Sequence, residues 1–158
     1  MVAHPLSRDH GEGSEPSVEP PVWANVNQRR KGKRLYVLGH LMSEKLGGPG
    51  DDVRNLTPIT FSANALHRNR VEEKVEDLVD HTRPKKMVHY EVEVDYPSDR
   101  SRVPRYKRGE GHDQEGLLAR KLTARWCELK MKGPNNVEPV GSMIEKEIEN
   151  VPPYPNED

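Results

Sequence analysis

Cysteine is all but missing from the chain. Cys127 stands alone among 158 residues, which excludes an internal disulfide and any cysteine-based zinc site. Aromatic residues are scarce at 5%, with one phenylalanine and two tryptophans. Apolar residues reach only 32%, and adding the 12 glycines brings the figure to roughly 40%, under the usual 45–50%. A thin core follows from both shortages. No stretch approaches 18 consecutive apolar residues, so a membrane-spanning helix is excluded. The opening MVAHPLSRDHGEG has no apolar segment of the kind a secretory signal peptide needs, and none is expected. No internal repeat is visible. The length fits one modest domain.

Charge is plentiful and unevenly spread. The formal net charge is −1, yet residues 1–28 carry −3 and residues 138–158 carry −5, which leaves +7 on residues 29–137. A basic centre between acidic ends suits a polyanion-binding body whose ends are solvated or folded back; the bland alternative is a mixed, solvated surface. Within 83–108, Arg83, Lys85, Lys86, Arg100, Arg102, Arg105, Lys107 and Arg108 outnumber four acids two to one. With the RRKGKR run at 29–34 they form a candidate nucleic-acid track.

The composition divides the chain into a disordered leader or linker over 1–22, rich in Pro, Gly, Ser and Glu, a domain over 23–150, and a frayed tail over 151–158. Lys33–Leu41 reads as a strand, GGPGDD at 47–52 as a turn-rich loop, and NLTPIT as a short extended piece. A helix is predicted from about Ser62 to Asp80, with Ala63, Leu66, Val71, Val75, Leu78 and Val79 on its apolar stripe and Glu72, Glu73, Lys74, Glu76 and Asp77 opposite. Met87–Tyr96 alternates strictly, the pattern of a half-buried strand. Residues 97–115 form a polar, basic loop. Residues 116–130 fit the first strand of a hairpin turning at GPNN, although a helix with Leu118, Leu122 and Leu129 inward fits them as well. The fold class expected is α+β: strand, loop, one long helix, then antiparallel strands.

The stretch 38–73 carries the chemistry. Gly39-His40 closes a strand, Asn55 is followed by Pro58, Asn64 opens a helix nine residues after Asn55, and Glu72 lies eight residues further on. At 100° per residue Glu72 is rotated roughly 80° from Asn64 on an ideal helix. A helix start is a favourable place for phosphate. Taken singly, each residue has an ordinary explanation: a structural histidine, a helix-opening asparagine, a solvated glutamate.

In this order and spacing the four features resemble the DNA/RNA non-specific endonucleases, a branch of the ββα-metal (His-Me finger) nucleases. The GHL, GGPG and NLTPIT segments are similar to nuclease domains of bacterial polymorphic toxins and injected effectors. The resemblance implies metal-assisted phosphodiester hydrolysis of DNA and possibly RNA. His40 would be the general base, Asn64 the ligand of one hard divalent cation such as Mg²⁺, Glu72 the residue orienting its waters, and Asn55 the residue holding the histidine. It implies no membrane, no small-molecule cofactor, a possible cognate immunity protein, and export or injection into a target cell. The family carries Asp-Arg before Gly-His where this chain has Val37-Leu38. Arg34, Arg54, Arg68 and Arg70 are candidates to replace that arginine at the phosphate. His67, three residues after Asn64, reads as a nucleic-acid contact or second metal ligand, or else as a plain surface histidine. GGPGDD lacks the ending of a phosphate-binding P-loop and reads as a turn, with Asp51 and Asp52 facing water. Trp126 and Cys127 read as core. A catalytically degenerate binding or interaction module on the same scaffold is the alternative function.

Overall fold

The computed structural model describes residues 1–27, 36–96 and 118–151. A four-stranded antiparallel sheet runs in the order β1 (Val2–Leu6), β4 (Met87–Asp95), β5 (Lys121–Gly133), β6 (Asn136–Glu149). A separate hairpin pairs β2 (Tyr36–His40) with β3 (Leu56–Thr60), with His40 opposite Leu56 and Tyr36 opposite Thr60. A short α1 (Trp23–Asn27) precedes the hairpin. The mixed α+β class expected from the pattern is the one observed. Among the described residues no helix is long and apolar enough to cross a membrane.

The hairpin is covered on both faces, which explains why all five β3 residues are buried. Val37 and Ile59 point into the main core, with Leu41, Leu46, Val71, Val88 and Tyr90. Tyr36 and Leu38 point the other way, onto a small cluster of Trp23, Val26 and Leu118. Alternation along β2 thus splits one strand between two apolar clusters.

The helical run begins at α2 (Phe61–His67), where the Thr60 side chain accepts from the Ala63 amide. It continues through a π-helical turn at Arg68–Glu72, then α3 (Glu73–Glu76), then a second π turn at Asp77–His81. Ala63, His67, Val71, Val75 and Val79 are all buried, a strict four-residue spacing. An ideal α-helix drifts about 40° every four residues, so this row would wind off the core; each π turn inserts about one residue and returns it. The expected helix is therefore present with its expected stripe inward: Ala63, Val71, Val75 and Val79 are buried, Leu66 and Leu78 pack against the core, and His67 joins them. Glu72 is buried rather than solvated, because it sits in the row of Asn64 and Arg68 once the first π turn has reset the register.

Two readings need correction. Residues 1–22 are not a featureless leader: β1 pairs with β4, Leu6 is buried, and the Gly13, Ser14 and Ser17 amides donate to carbonyls of the 44–50 loop. Composition missed this because a strand of five residues needs one buried side chain and a neighbour, not an apolar run. The acidic C-terminal stretch is not a loose tail as far as Glu149. It forms β6, where Glu138, Glu145 and Glu147 pair with Lys130 and Lys132, Arg125, and Lys121 on β5. The charge that looked unpartnered along the chain is partnered across the ladder. Of the two alternatives for residues 116–130 the strand is observed, from Lys121 onward, where β5 begins. The basic loop 97–115 and the RRKGKR run lie outside the described residues; of the candidate track only Arg83, Lys85 and Lys86 lie within them.

Candidate active site

The local geometry starts at Gly39. A side chain there would run into the Ile59 side chain, whose Cγ1 lies 2.7 Å from the Cβ position, and would stand 3.1 Å from Asn64 Oδ1. A Cβ at this position would force the Ile59 side chain of β3 to shift and would crowd the Asn64 amide of α2. An amide oxygen on the helix is thus set against the backbone of the residue before His40. Asn64 is half-buried and makes no side-chain hydrogen bond among the described residues.

Asn55 is completely buried and spans the loop that leaves the histidine strand. Its Oδ1 accepts from the Met42 amide at 2.9 Å, and its Nδ2 donates to the carbonyls of Met42 at 3.0 Å and Pro49 at 3.1 Å. Its own carbonyl accepts from Leu41 at 2.8 Å. The loop from Leu41 to Asn55 is closed at its base by one side chain.

His40 is held from the other side by the N-terminal segment. Its Nε2 lies 3.0 Å from the Ser14 carbonyl oxygen. A carbonyl only accepts, so Nε2 carries the proton, and in the neutral ring Nδ1 is left with its lone pair. Ser14 is fixed in turn by the glycine loop: its amide donates to Gly48 O at 3.2 Å, and its Oγ accepts from the Gly50 amide at 2.8 Å. Gly13 permits the crossing, since a Cβ there would meet the Glu44 backbone. Sequence reasoning missed this segment; Gly13, Gly47 and Gly50 were the available signal, as a Cβ at each would meet the other segment's backbone.

Behind the loop lies a buried polar group. Glu72 is 6% exposed, its Oε1 has no hydrogen-bond partner, and burial pushes its carboxyl up to about 7, against the pull of Arg68 and a bond from the Ser43 backbone. The Ser43 hydroxyl is likewise buried and unpartnered. His67, 1% exposed, lies 3.9 Å from Glu72 through Nδ1, and burial lowers it to about 4. Burial drives both groups towards neutrality, so this contact is not an ion pair. His67 Nε2 lies 3.2 Å from the Tyr90 hydroxyl, which donates to Leu41 O at 3.1 Å. Burial also raises the Tyr90 phenol well above its ordinary value. His67 is thus a core residue, and the reading that placed it on nucleic acid is corrected: the four-residue burial row carries it inward.

Arg54 is 84% exposed and forks onto Asp52, whose carboxyl it holds down at about 2. Arg68 reaches Glu73 and Glu76 at 3.9 and 3.8 Å, and Arg70 is exposed. Arg34 lies outside the described residues. Leu38, in the place where the resembled family has arginine, packs against the smaller apolar cluster.

A family model of the DNA/RNA non-specific endonucleases matches residues 13–114. The chain belongs to this family. The matched span runs from Gly13, at the segment crossing the glycine loop, through the hairpin and the helix, and past β4. No curated protein and no solved structure matches the chain. Family members are typically metal-dependent. The donor set here fits a hard divalent cation: an uncommitted amide oxygen on Asn64, and a buried Glu72 oxygen that needs a partner. Among the described residues no three His, Cys, Asp or Glu side chains converge into a cage.

Proposed function

We propose that this endonuclease-family chain hydrolyses DNA, and RNA in part, with Mg²⁺ or a similar hard cation, as the nuclease domain of a bacterial toxin or injected effector. The observation that carries the reading is the placement of Asn64 Oδ1 against Gly39, beside a histidine whose Nε2 is committed to the Ser14 carbonyl. His40 Nδ1 takes a proton from the attacking water. Ser14 and Asn55 hold the imidazole and its loop in place. Asn64 holds the cation and Glu72 orients its hydration; the bound cation supplies charge stabilisation at the phosphate and the leaving oxygen. Arg54, on the surface, contacts the phosphate, with Arg68 and Arg70 as further contacts. Recognition is through the backbone, and so independent of sequence. A toxin role calls for an immunity protein that is acidic where it covers the basic surface.

The second reading is a binding module without turnover. It is favoured by one observation: Leu38 is committed to apolar packing, so no arginine can act from that position. Incubation of supercoiled plasmid and folded RNA with Mg²⁺, with EDTA, and with the His40→Ala protein separates the two. Cleavage that needs the metal and disappears in His40→Ala is expected. Tight binding to both nucleic acids with no cleavage at any Mg²⁺ concentration selects the binding module.

A further inference from the structure

On the sheet face turned away from the helix, β1 and β4 bring two imidazoles together. His4 Nδ1 and His89 Nδ1 stand 3.1 Å apart, with the rings edge to face at a centroid distance of 5.2 Å. The strand pairing puts them there. Ala3 pairs with Tyr90 and Leu6 with Val88, so β1 carries one more residue than β4 over this interval. Such a bulge re-aims a side chain, here bringing His4 beside His89. His4 is exposed and His89 partly so, which leaves the pair open to solvent. The other nitrogen of His89, Nε2, faces Glu91 Oε2 at 3.6 Å, two residues along the same strand face.

We infer that His4 and His89 form a surface site for a borderline transition-metal ion such as Zn²⁺ or Ni²⁺, separate from the catalytic centre. Two imidazole nitrogens at about 2.0–2.1 Å from a tetrahedral Zn²⁺ stand about 3.3 Å apart, a few tenths more than the observed separation. In the metal-free pair one Nδ1 donates to the other. Glu91 favours the proton of His89 on Nε2, which leaves its Nδ1 as acceptor and His4 as donor. Metal binding needs only that His4 move its proton to its own Nε2, with no net proton change. A carboxylate behind a ligating histidine is the usual orienting arrangement. No three His, Cys, Asp or Glu side chains converge among the described residues, so water completes the shell. Imidazole donors select Zn²⁺, Ni²⁺ or Cu²⁺ and leave Mg²⁺ unbound. The ion would clamp β1 to β4 just ahead of the segment that carries Ser14 to His40.

The test is calorimetric titration of the full chain with ZnCl₂, NiCl₂ and MgCl₂, with thermal unfolding in parallel. One Zn²⁺ or Ni²⁺ per chain is expected, weakened about tenfold or more in His4→Gln and in His89→Gln and about tenfold in Glu91→Gln. The unfolding temperature should rise by roughly 5–10 °C at a hundredfold excess over Kd. His40→Ala should bind as the parent does, which separates this site from the nuclease centre whether or not the chain cleaves nucleic acid. Affinity within twofold of the parent in either histidine variant overturns the proposal. So does loss of binding in His40→Ala, or no binding of Zn²⁺ and Ni²⁺ at millimolar concentration.

Discussion

Two asparagines nine residues apart behave in opposite ways, and only the structure separates them. Asn55 is fully buried with every amide atom bonded to backbone, whereas Asn64 keeps its oxygen free beside Gly39. Replacing Asn55 with Ala strands the Met42 amide and two carbonyls without water, and should cost about 2–4 kcal/mol in urea unfolding. Asn64→Ala removes no such partner and substitutes a better helix former, so its stability should stay within about 0.5 kcal/mol of the parent. Cleavage, by contrast, should fall steeply, with a higher Mg²⁺ requirement. An Asn64→Ala protein destabilised as much as Asn55→Ala would make Asn64 structural. The spacing of the two residues was readable in the sequence. Their difference was not, because burial of Asn55 depends on how the glycine loop folds back on it. Ser14 was illegible for a stronger reason: it acts through its carbonyl, which every residue has.

At the scale of elements, β2 to β6 and the long helix were legible from period and turn chemistry; β1 was not, nor was the burial of His67 and Glu72 beside the expected apolar stripe. Periodicity assumes 3.6 residues per turn, and two π turns break that assumption between Arg68 and His81. The packing of Ile59 on β3 and of Asn64 on α2 against β2 leaves no ready room for a Cβ at Gly39. Gly39→Ala places a methyl against the side chain of the fully buried Ile59 and should destabilise by about 1–3 kcal/mol. Ile59→Val removes Cδ1, the nearest atom, at a cost of about 0.5–1.5 kcal/mol alone. The double variant should then be more stable than the two single losses added together predict. A double-mutant cycle with zero coupling would place the strain of Gly39→Ala somewhere other than Ile59. Cleavage in Gly39→Ala should drop further than stability explains, since Asn64 is pushed by the same methyl.

For the whole molecule, charge along the chain was a poor guide to charge in space: the acidic end pairs across β5 and β6, and the acidic start is laid over the glycine loop. The buried pair Glu72 and His67 instead gives stability a pH signature. Glu72 is raised from 4.5 to about 7, so its contribution is fully present below about pH 4.5 and is lost as pH rises through 7. His67 is lowered from 6.5 to about 4, so its contribution is fully present above about pH 6.5 and is lost as pH falls through 4. Between about pH 4.5 and 6.5 the two slopes oppose and largely cancel. Glu72→Gln removes one of them. In EDTA, the variant's stability relative to the parent should rise from pH 5 to pH 8 by about 2–3 kcal/mol, because the parent alone must ionise a buried carboxyl. Comparing the two proteins at each pH cancels the titration of every surface group. Denaturant unfolding at pH 5, 6.5 and 8 reads the difference directly. A gap that stays constant across that range would mean that Glu72 ionises as freely in the fold as in the unfolded chain, and that its unpartnered oxygen is reached by water.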